Sequence, residues 1–582
     1  MEEDAWGNVI RHVDALGNVT TYTYDDFGNR KTEVTPEGHE WSWTWDAAGN
    51  LLTETNPLGE TTRYDWDAVG QLIKVTDPEG VVWQYTYNAL GNTTRIDLDN
   101  LARPLRLTDP AGNLITWTWD ANFLKGMDYP TYRQQYRYNT RHQLWQRVDE
   151  WDGQSRSTVY QRNAEGDLTA MTDPGGHTTT YTPDALGRAA EIRDALGGLT
   201  RIDQRADGQP SEVTDPEGHT TRYEYDARGL LIREISAAGT DEERIRRYDY
   251  DADGRLTTVH LPDGGRKVYT WNAADRLIRA DYYAPGADAP AITHTWDYDK
   301  AGRLTGWSAP GLSGTYTYNT LGQRTEATTH YGAFSKTLKY AYDPAGRPLR
   351  YTSAENRVTE YTWTAHGQPD SIRIEGEGTV LYGPYLWNRP QALQLPGGTR
   401  IEYQYDGLQR LTGLKVTDPV SQLLQQLTYA WDVNDLILQK GDTTYTYDAL
   451  YRLTEAVTGD STDTYTYDGV GNRLSHNDDS GWTYNAAHQL TERPGVNYTY
   501  NANGHLIRAQ YSNGIERTYT YDASERLIRI EENGLTRAEF GYDPFGRRAF
   551  KRTASGTTWY LYSEQGLAAE YDDSGNLIAE YH

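Results

Sequence analysis

The sequence contains no cysteine, so neither a disulfide framework nor a thiolate metal site is open to it. It has only 6 phenylalanines and 3 methionines, and hydrophobic residues make up 37% of its 582 positions. That share lies below the usual one and excludes a thick, water-free interior. No apolar run approaches the roughly 18 residues of a spanning helix. The acidic start MEEDAWGNVI has no apolar stretch behind it of the kind a signal peptide carries. No window shows a 3.6-residue apolar period, so helices are not expected. Positive charge is also short: 56 Lys and Arg against 83 Asp and Glu give a net charge of -27. Direct binding to nucleic acid is therefore excluded, because it depends on cations displacing counterions from phosphate, while cationic partners stay open.

What is present is tyrosine (47) and tryptophan (18), a 12% aromatic share that disordered chains do not reach. Both carry a polar group and suit surfaces that are apolar at one end and wet at the other. They recur in one pattern, aromatic-x-aromatic-Asp-x-x-Gly, at a step of about 21 residues. Tyr22, Tyr24, Asp25 and Gly28 form one copy, and Trp43, Trp45, Asp46 and Gly49 the next. Tyr223, Tyr225, Asp226 and Gly229 form a third, and Tyr342, Asp343 and Gly346 belong to a fourth. With Asn accepted for Asp, as at Asn88, the pattern fills the chain.

Each unit reads as two strands and two turns. Thr20 to Asp25 alternates Thr with Tyr, the period-2 signature of a half-buried strand. Asp and Gly then reverse the chain, and turns such as Asp215-Pro216-Glu217-Gly218 reverse it again. About fifty strands at about 4.8 Å would make a flat sheet some 240 Å wide, and sheets of that width curl or close. The expected fold is all-β: a spiral of antiparallel hairpins forming a hollow, cocoon-like β-shell. One continuous unit, 1–582, is expected, with regular steps over 1–425 and shorter, tapering units over 426–582. The uneven spacing from Asp97 to Gln161 predicts longer loops, and the motif's aromatics are expected to stack on those of neighbouring hairpins.

With units such as YDYDADGRL (Tyr248 to Leu256) and WDYDKAGRL (Trp296 to Leu304), and turns such as TDPEG, the chain resembles the Rhs/YD-repeat family over essentially its whole length. The resemblance implies a hollow β-shell, like that of bacterial Rhs proteins and insecticidal toxin-complex subunits, enclosing a C-terminal toxin domain as cargo. It implies synthesis in the bacterial cytoplasm, then secretion or delivery to a target cell, with type VI secretion and bacterial competition as its setting. Teneurin-type shells suggest the alternative, a carbohydrate- or receptor-binding adhesion module, so glycans join secretion-apparatus proteins as possible partners. No DPxGL-type segment, where the family cleaves itself, precedes Tyr581-His582, so the chain is expected to be a non-enzymatic, monomeric segment excised from a longer shell.

Local chemistry is read as structural. Asp249, Asp251, Asp253 and Gly254 mimic an EF-hand loop, but His260 stands where the bidentate Glu belongs. His39, His177 and His219 each follow a turn glycine and read as exposed strand starters. Asn18, Asn92 and Asn497 match the glycosylation sequon, which a Thr-rich repeat generates by chance. No catalytic residue, metal ligand or cofactor is expected.

Overall fold

The computed structural model describes residues 1–68, 70–80, 82–84, 96–98, 104–108, 112–364 and 366–581; Asn88 and Asn92 lie outside them. These residues form 59 strands, a short 3-10 turn at Pro396–Gly398 and no α-helix. Within sheets of 9, 37 and 11 strands each strand pairs antiparallel with the next, the hairpin of two-residue strands at 385–390 standing outside the main ladder. One ladder runs through 37 strands without a crossover.

The two turns of each unit share one construction. At the Asp25 turn, the Gly28 amide donates to the Asp25 carbonyl at 3.1 Å, and Oδ1 of Asp25 accepts from the amides of Phe27 and Asn29, both at 2.9 Å. Gly28 sits at φ 85°, a conformation that costs any other L-residue strain. At the opposite end, Asp215 accepts from the Glu217 and His219 amides in the same way. The Asp25-type corner carries a register shift, where Thr23 faces Thr32 but Tyr24 faces Arg30, while most turns at the other end, such as that between Val34 and Glu40, keep an unbroken register. A bulge on one end of each hairpin strengthens the local twist and bends the sheet consistently.

In most motifs the second aromatic ties one corner to the previous one, though not by ring stacking. The Tyr24 hydroxyl donates to the Val9 carbonyl at 3.0 Å, Trp45 Nε1 to Arg30 at 2.7 Å and Tyr225 to Pro210 at 3.0 Å. Arginines after the turn lie over the rings, Arg30 over Tyr22 and Trp43, Arg303 over Tyr318. This is why Tyr and Trp serve where Phe does not: the polar atom reaches the carbonyl left free at the bulge. The opposite face holds threonines and cross-strand ion pairs such as Arg222–Glu212 at 2.7 Å.

The ladder winds into a coil. Hydrogen bonds join Asn18 to Lys300, Arg347 to Glu79, His488 to Asp215 and Tyr331 to Tyr560, at sequence separations of 282, 268, 273 and 229. The ladder from the Thr178–Pro183 strand to the Thr443–Tyr447 strand makes one circuit of about 25 strands, a circumference of about 120 Å and a diameter of about 40 Å. Accessible area is 30908 Å², where a compact protein of 66.0 kDa would expose about 21,000 Å². The excess fits a wall one sheet thick, wetted on both faces.

The apolar core lies where coil turns meet near the C-terminal end: Trp307, Leu312, Tyr331 and Leu338 pack with Leu561, Ala569 and Tyr571. Strands shorten to four, two, two and four residues between Arg473 and Arg493, then return to eight at Leu535–Tyr542 and Gly556–Ser563. From residue 112 to Gln161 the predicted loops are absent. Leu144–Trp151 and Gln154–Arg162 are instead among the longest strands, joined through Asp152-Gly153, so the extra residues extend the ladder. Residues 99–103 and 109–111 of that stretch lie outside the described residues.

Candidate functional site: the seam between coil turns

The motif residues singled out in the sequence do not converge on a pocket. Asp46 repeats the Asp25 turn, with Oδ1 accepting from Ala48 and Asn50 and Gly49 at φ 84°. Asp226 does the same with Arg228 and Leu230, beside Gly229 at φ 82°. Burial, then the Glu234 carboxylate, push the Tyr223 hydroxyl up, and burial followed by Glu564 does so for Tyr342. Asp343 differs. It is buried, its turn closes through Gly346, and its partner Arg347 reaches Glu79 at 2.7 Å on the preceding coil turn.

That contact belongs to a seam along which the Asp-Pro-type turns of one coil turn meet the aromatic-Asp turns of the next. In the first coil turn the fourth position of the latter is usually glycine, as at Gly28, Gly187 and Gly229. In the second, several copies put a side chain there despite positive φ: Gln409 (63°), Asp435 (68°), Tyr451 (66°), His488 (58°) and Glu525 (71°). Four of these five bond the preceding coil turn. Asp435 takes Arg156 Nη1 at 2.7 Å, Tyr451 donates to Asp173, and His488 Nε2 meets Asp215 Oδ2 at 2.6 Å. Glu525 accepts Lys267 at 2.6 Å and Arg246 at 2.9 Å, with His505 at 3.2 Å. Holding a non-glycine residue at positive φ costs about 1 kcal/mol or more, which each clasp must offset.

The electrostatics follow the contacts. Burial alone would raise the Glu525 carboxyl, but Lys267, Arg246 and His505 hold it below the usual carboxylate range. Asp173 is also raised by burial, yet Tyr451 and the His177 amide bring it down, while burial and Asp173 push the Tyr451 hydroxyl up. Glu217 and Asp263 add links to the Gly469 amide at 2.7 Å and the Asn503 side chain at 2.8 Å.

One expectation changes here. His177 and His219 are not exposed strand starters: each follows an Asp-Pro turn that faces the next coil turn, so its ring is half-buried in the seam, with Nδ1 out of contact with solvent. Asn18, read as a chance sequon, has its amide bonded to Asp14 and to the Lys300 carbonyl across the seam. The EF-hand mimic is occupied by protein: Asp251 takes the Asp253 and Arg255 amides and pairs with the Arg255 side chain at 2.7 Å, and Asp249 pairs with His260.

Besides the seam, a cavity of about 400 Å³ lies between coil turns near the C-terminal end. It is lined by Tyr340, Tyr342, Tyr351, Tyr361 and Tyr581, with Arg350 and Glu564.

Comparison with known proteins gives two family-model matches: RHS Repeat in seven overlapping or separate stretches within 4–100, 162–199, 206–241 and 246–284, and Teneurin YD-shell over 424–581. Among curated proteins, the chain is 24% identical over 461 residues to double-stranded DNA deaminase toxin A of Burkholderia cenocepacia, covering 72% of this chain and 30% of that protein. It is 29% identical over 450 residues to probable deoxyribonuclease RhsB of Dickeya dadantii, covering 74% and 28%. The chain thus spans less than a third of the length of these relatives. Among solved structures, the crystal structure of TcdB2-TccC3 pairs with 98% of this chain and 40% of its own, at 16% identity and a TM-score of 0.38. A structure of the Photorhabdus luminescens Tc holotoxin pore pairs with 99% and 42%, at 14% identity and a TM-score of 0.38.

Proposed function

The chain belongs to the Rhs/YD-repeat family, and from that premise we propose that it is the wall of a shell enclosing a toxin domain carried by the same parent protein. The observation that carries the reading is the coil: a wall one sheet thick, wetted on both faces, wound round a space and stitched to itself at Arg156, Asp215, Lys267 and their partners. In this reading the chain is a monomeric container with no catalytic role, made in the bacterial cytoplasm and exported or delivered with its cargo through contacts with secretion-apparatus proteins. Limited proteolysis of the parent protein tests it. The cargo domain should survive inside the parent and be digested when expressed alone; equal digestion in both settings would contradict enclosure. Intact-mass measurement of the chain after prolonged incubation should show no internal cut, and a discrete cut that persists with protease inhibitors would contradict the non-enzymatic reading.

A second reading rests on the tyrosine-lined cavity. Five tyrosines beside an Arg and a Glu form a surface on which a sugar ring could stack and hydrogen-bond. Binding on a glycan array that is lost in Tyr351→Ala would favour an adhesion role over containment.

A further inference from the structure

We propose that Asp215, His219 and His488 form a zinc site that staples successive coil turns. One donor atom from each residue lies within 4.8 Å of the others. Asp215 and His219 come from the Asp-Pro-type turn of one coil turn, and His488 from the fourth position of the turn facing it. Two imidazole nitrogens and one carboxylate oxygen are a donor set that zinc takes with a water in the fourth position.

Three observations point beyond an ordinary hydrogen-bonded cluster. His219 Nδ1 is out of contact with solvent and has no hydrogen-bond partner among the described residues, although it points to within 3.9 Å of Asp215 Oδ2. An imidazole nitrogen left without a partner is costly in a fold and calls for a water or an ion; His177 Nδ1 has no partner among the described residues either, and the third donor, His488, is what sets this cluster apart. His488 occupies a strained position, φ 58°, that glycine fills without penalty elsewhere, so its ring is placed there for what it contacts. Finally, Asp215 is already fixed by two backbone amides at Oδ1, which leaves Oδ2 turned toward both rings.

Loading is chemically balanced. The Nε2 proton that His488 donates to Asp215 Oδ2 at 2.6 Å leaves, the ring regains one from solvent at Nδ1, and both freed atoms bind the ion. Nδ1, which accepts from the Asn472 amide nitrogen at 3.4 Å in the unloaded site, becomes the protonated nitrogen, and the Asn472 side chain turns away from it. The pair must open by several tenths of an ångström to admit zinc, a movement between two turns that only the seam connects. Protons compete with the ion for the two imidazoles, so uptake weakens as pH falls.

The neighbouring clasp supplies a control. Asp173 and His177 repeat the Asp215 and His219 geometry, with Nδ1 of His177 at 3.2 Å from Asp173, but Tyr451 stands where His488 does. It has two of the three ligands and should not hold zinc.

The test is titration of the metal-stripped chain with Zn²⁺ alone, in competition with a chromophoric chelator and followed by thermal melting. One equivalent should bind and raise the melting temperature. His219→Gln and His488→Gln should each weaken binding by at least about tenfold, the lower end of what losing even an outer partner of a metal site costs, and each should lose the zinc-induced rise in melting temperature measured from its own metal-free baseline. Tyr451→His should raise the stoichiometry to two. Absence of uptake by the unmodified chain, or unchanged affinity in folded His219→Gln, would overturn the proposal. Should the variants fail to fold, Co²⁺ added to the unmodified chain decides: the intense visible bands of a tetrahedral site support it, and the weak spectrum of aqueous Co²⁺ overturns it.

Discussion

A glycine at positive φ and a side chain in the same place mark two different uses of one turn. At Gly229 (φ 82°) the turn only reverses the chain, so Gly229→Val should destabilise by about 1–3 kcal/mol by forcing a β-branched residue into the left-handed region. Denaturant melts should detect this as a local loss, since repeats couple mainly to their neighbours. At Glu525 the opposite change should also destabilise. Glu525→Gly relieves backbone strain, but leaves Lys267 and Arg246 facing each other without the carboxylate, a net loss of about 1–3 kcal/mol. A more stable Glu525→Gly would show that the clasp contributes nothing. Acid should act on the same seam: with its pKa held down, the Glu525 contribution is present above the ordinary glutamate range and is lost as pH falls through it. His294 works in the same direction. It is 3% exposed, and burial followed by the Arg526 charge pushes its pKa down to about 4. It stays neutral in the fold while the unfolded chain takes up a proton near the ordinary histidine value. Stability therefore falls by about 3 kcal/mol between about pH 6.5 and 4. An NMR titration of the His294 ring should give a midpoint near 4, and a midpoint near 6.5 would contradict the burial argument.

The hairpin is the element that the sequence spells out, because its information is local. Alternation of Thr with Tyr, and Asp three residues before Gly, lie within one unit, and strands and turns follow from them at Val19–Tyr24 and Asp25 to Gly28. The link between units was only half legible. Aromatics in alternate positions suggested ring stacking, whereas the hydroxyls and indole N–H groups reach carbonyls at bulges, a feature that no residue type announces. Tyr225→Phe should therefore cost about 1 kcal/mol by leaving the Pro210 carbonyl without its donor. Hydrogen exchange at the Asp226 turn should speed up, and unchanged exchange would show that ring packing alone holds the corner. The seam was not legible at all, since it pairs residues 229 to 282 apart. Its trace in the sequence is the loss of glycine at the fourth turn position, which stands out at Tyr451, His488 and Glu525 only once the coil is known.

At the scale of the molecule, composition and winding agree. A chain with 37% hydrophobic residues cannot fill the space inside a circuit about 40 Å across, and its accessible area exceeds that of a compact protein by about half. Among the described residues the apolar core cluster joins coil turns near the C-terminal end, and polar clasps hold the wall together along the seam. High salt should therefore loosen the exposed clasp at Arg156 and Asp435 before it touches the core at Tyr571 and Leu561. The hollow wall is the central claim, and single-particle cryo-electron microscopy of the isolated chain tests it most directly. Views down the coil axis should show a ring about 50 Å in outer diameter, one sheet thick, around a solvent-filled centre. A filled disc of uniform density in those views would contradict it.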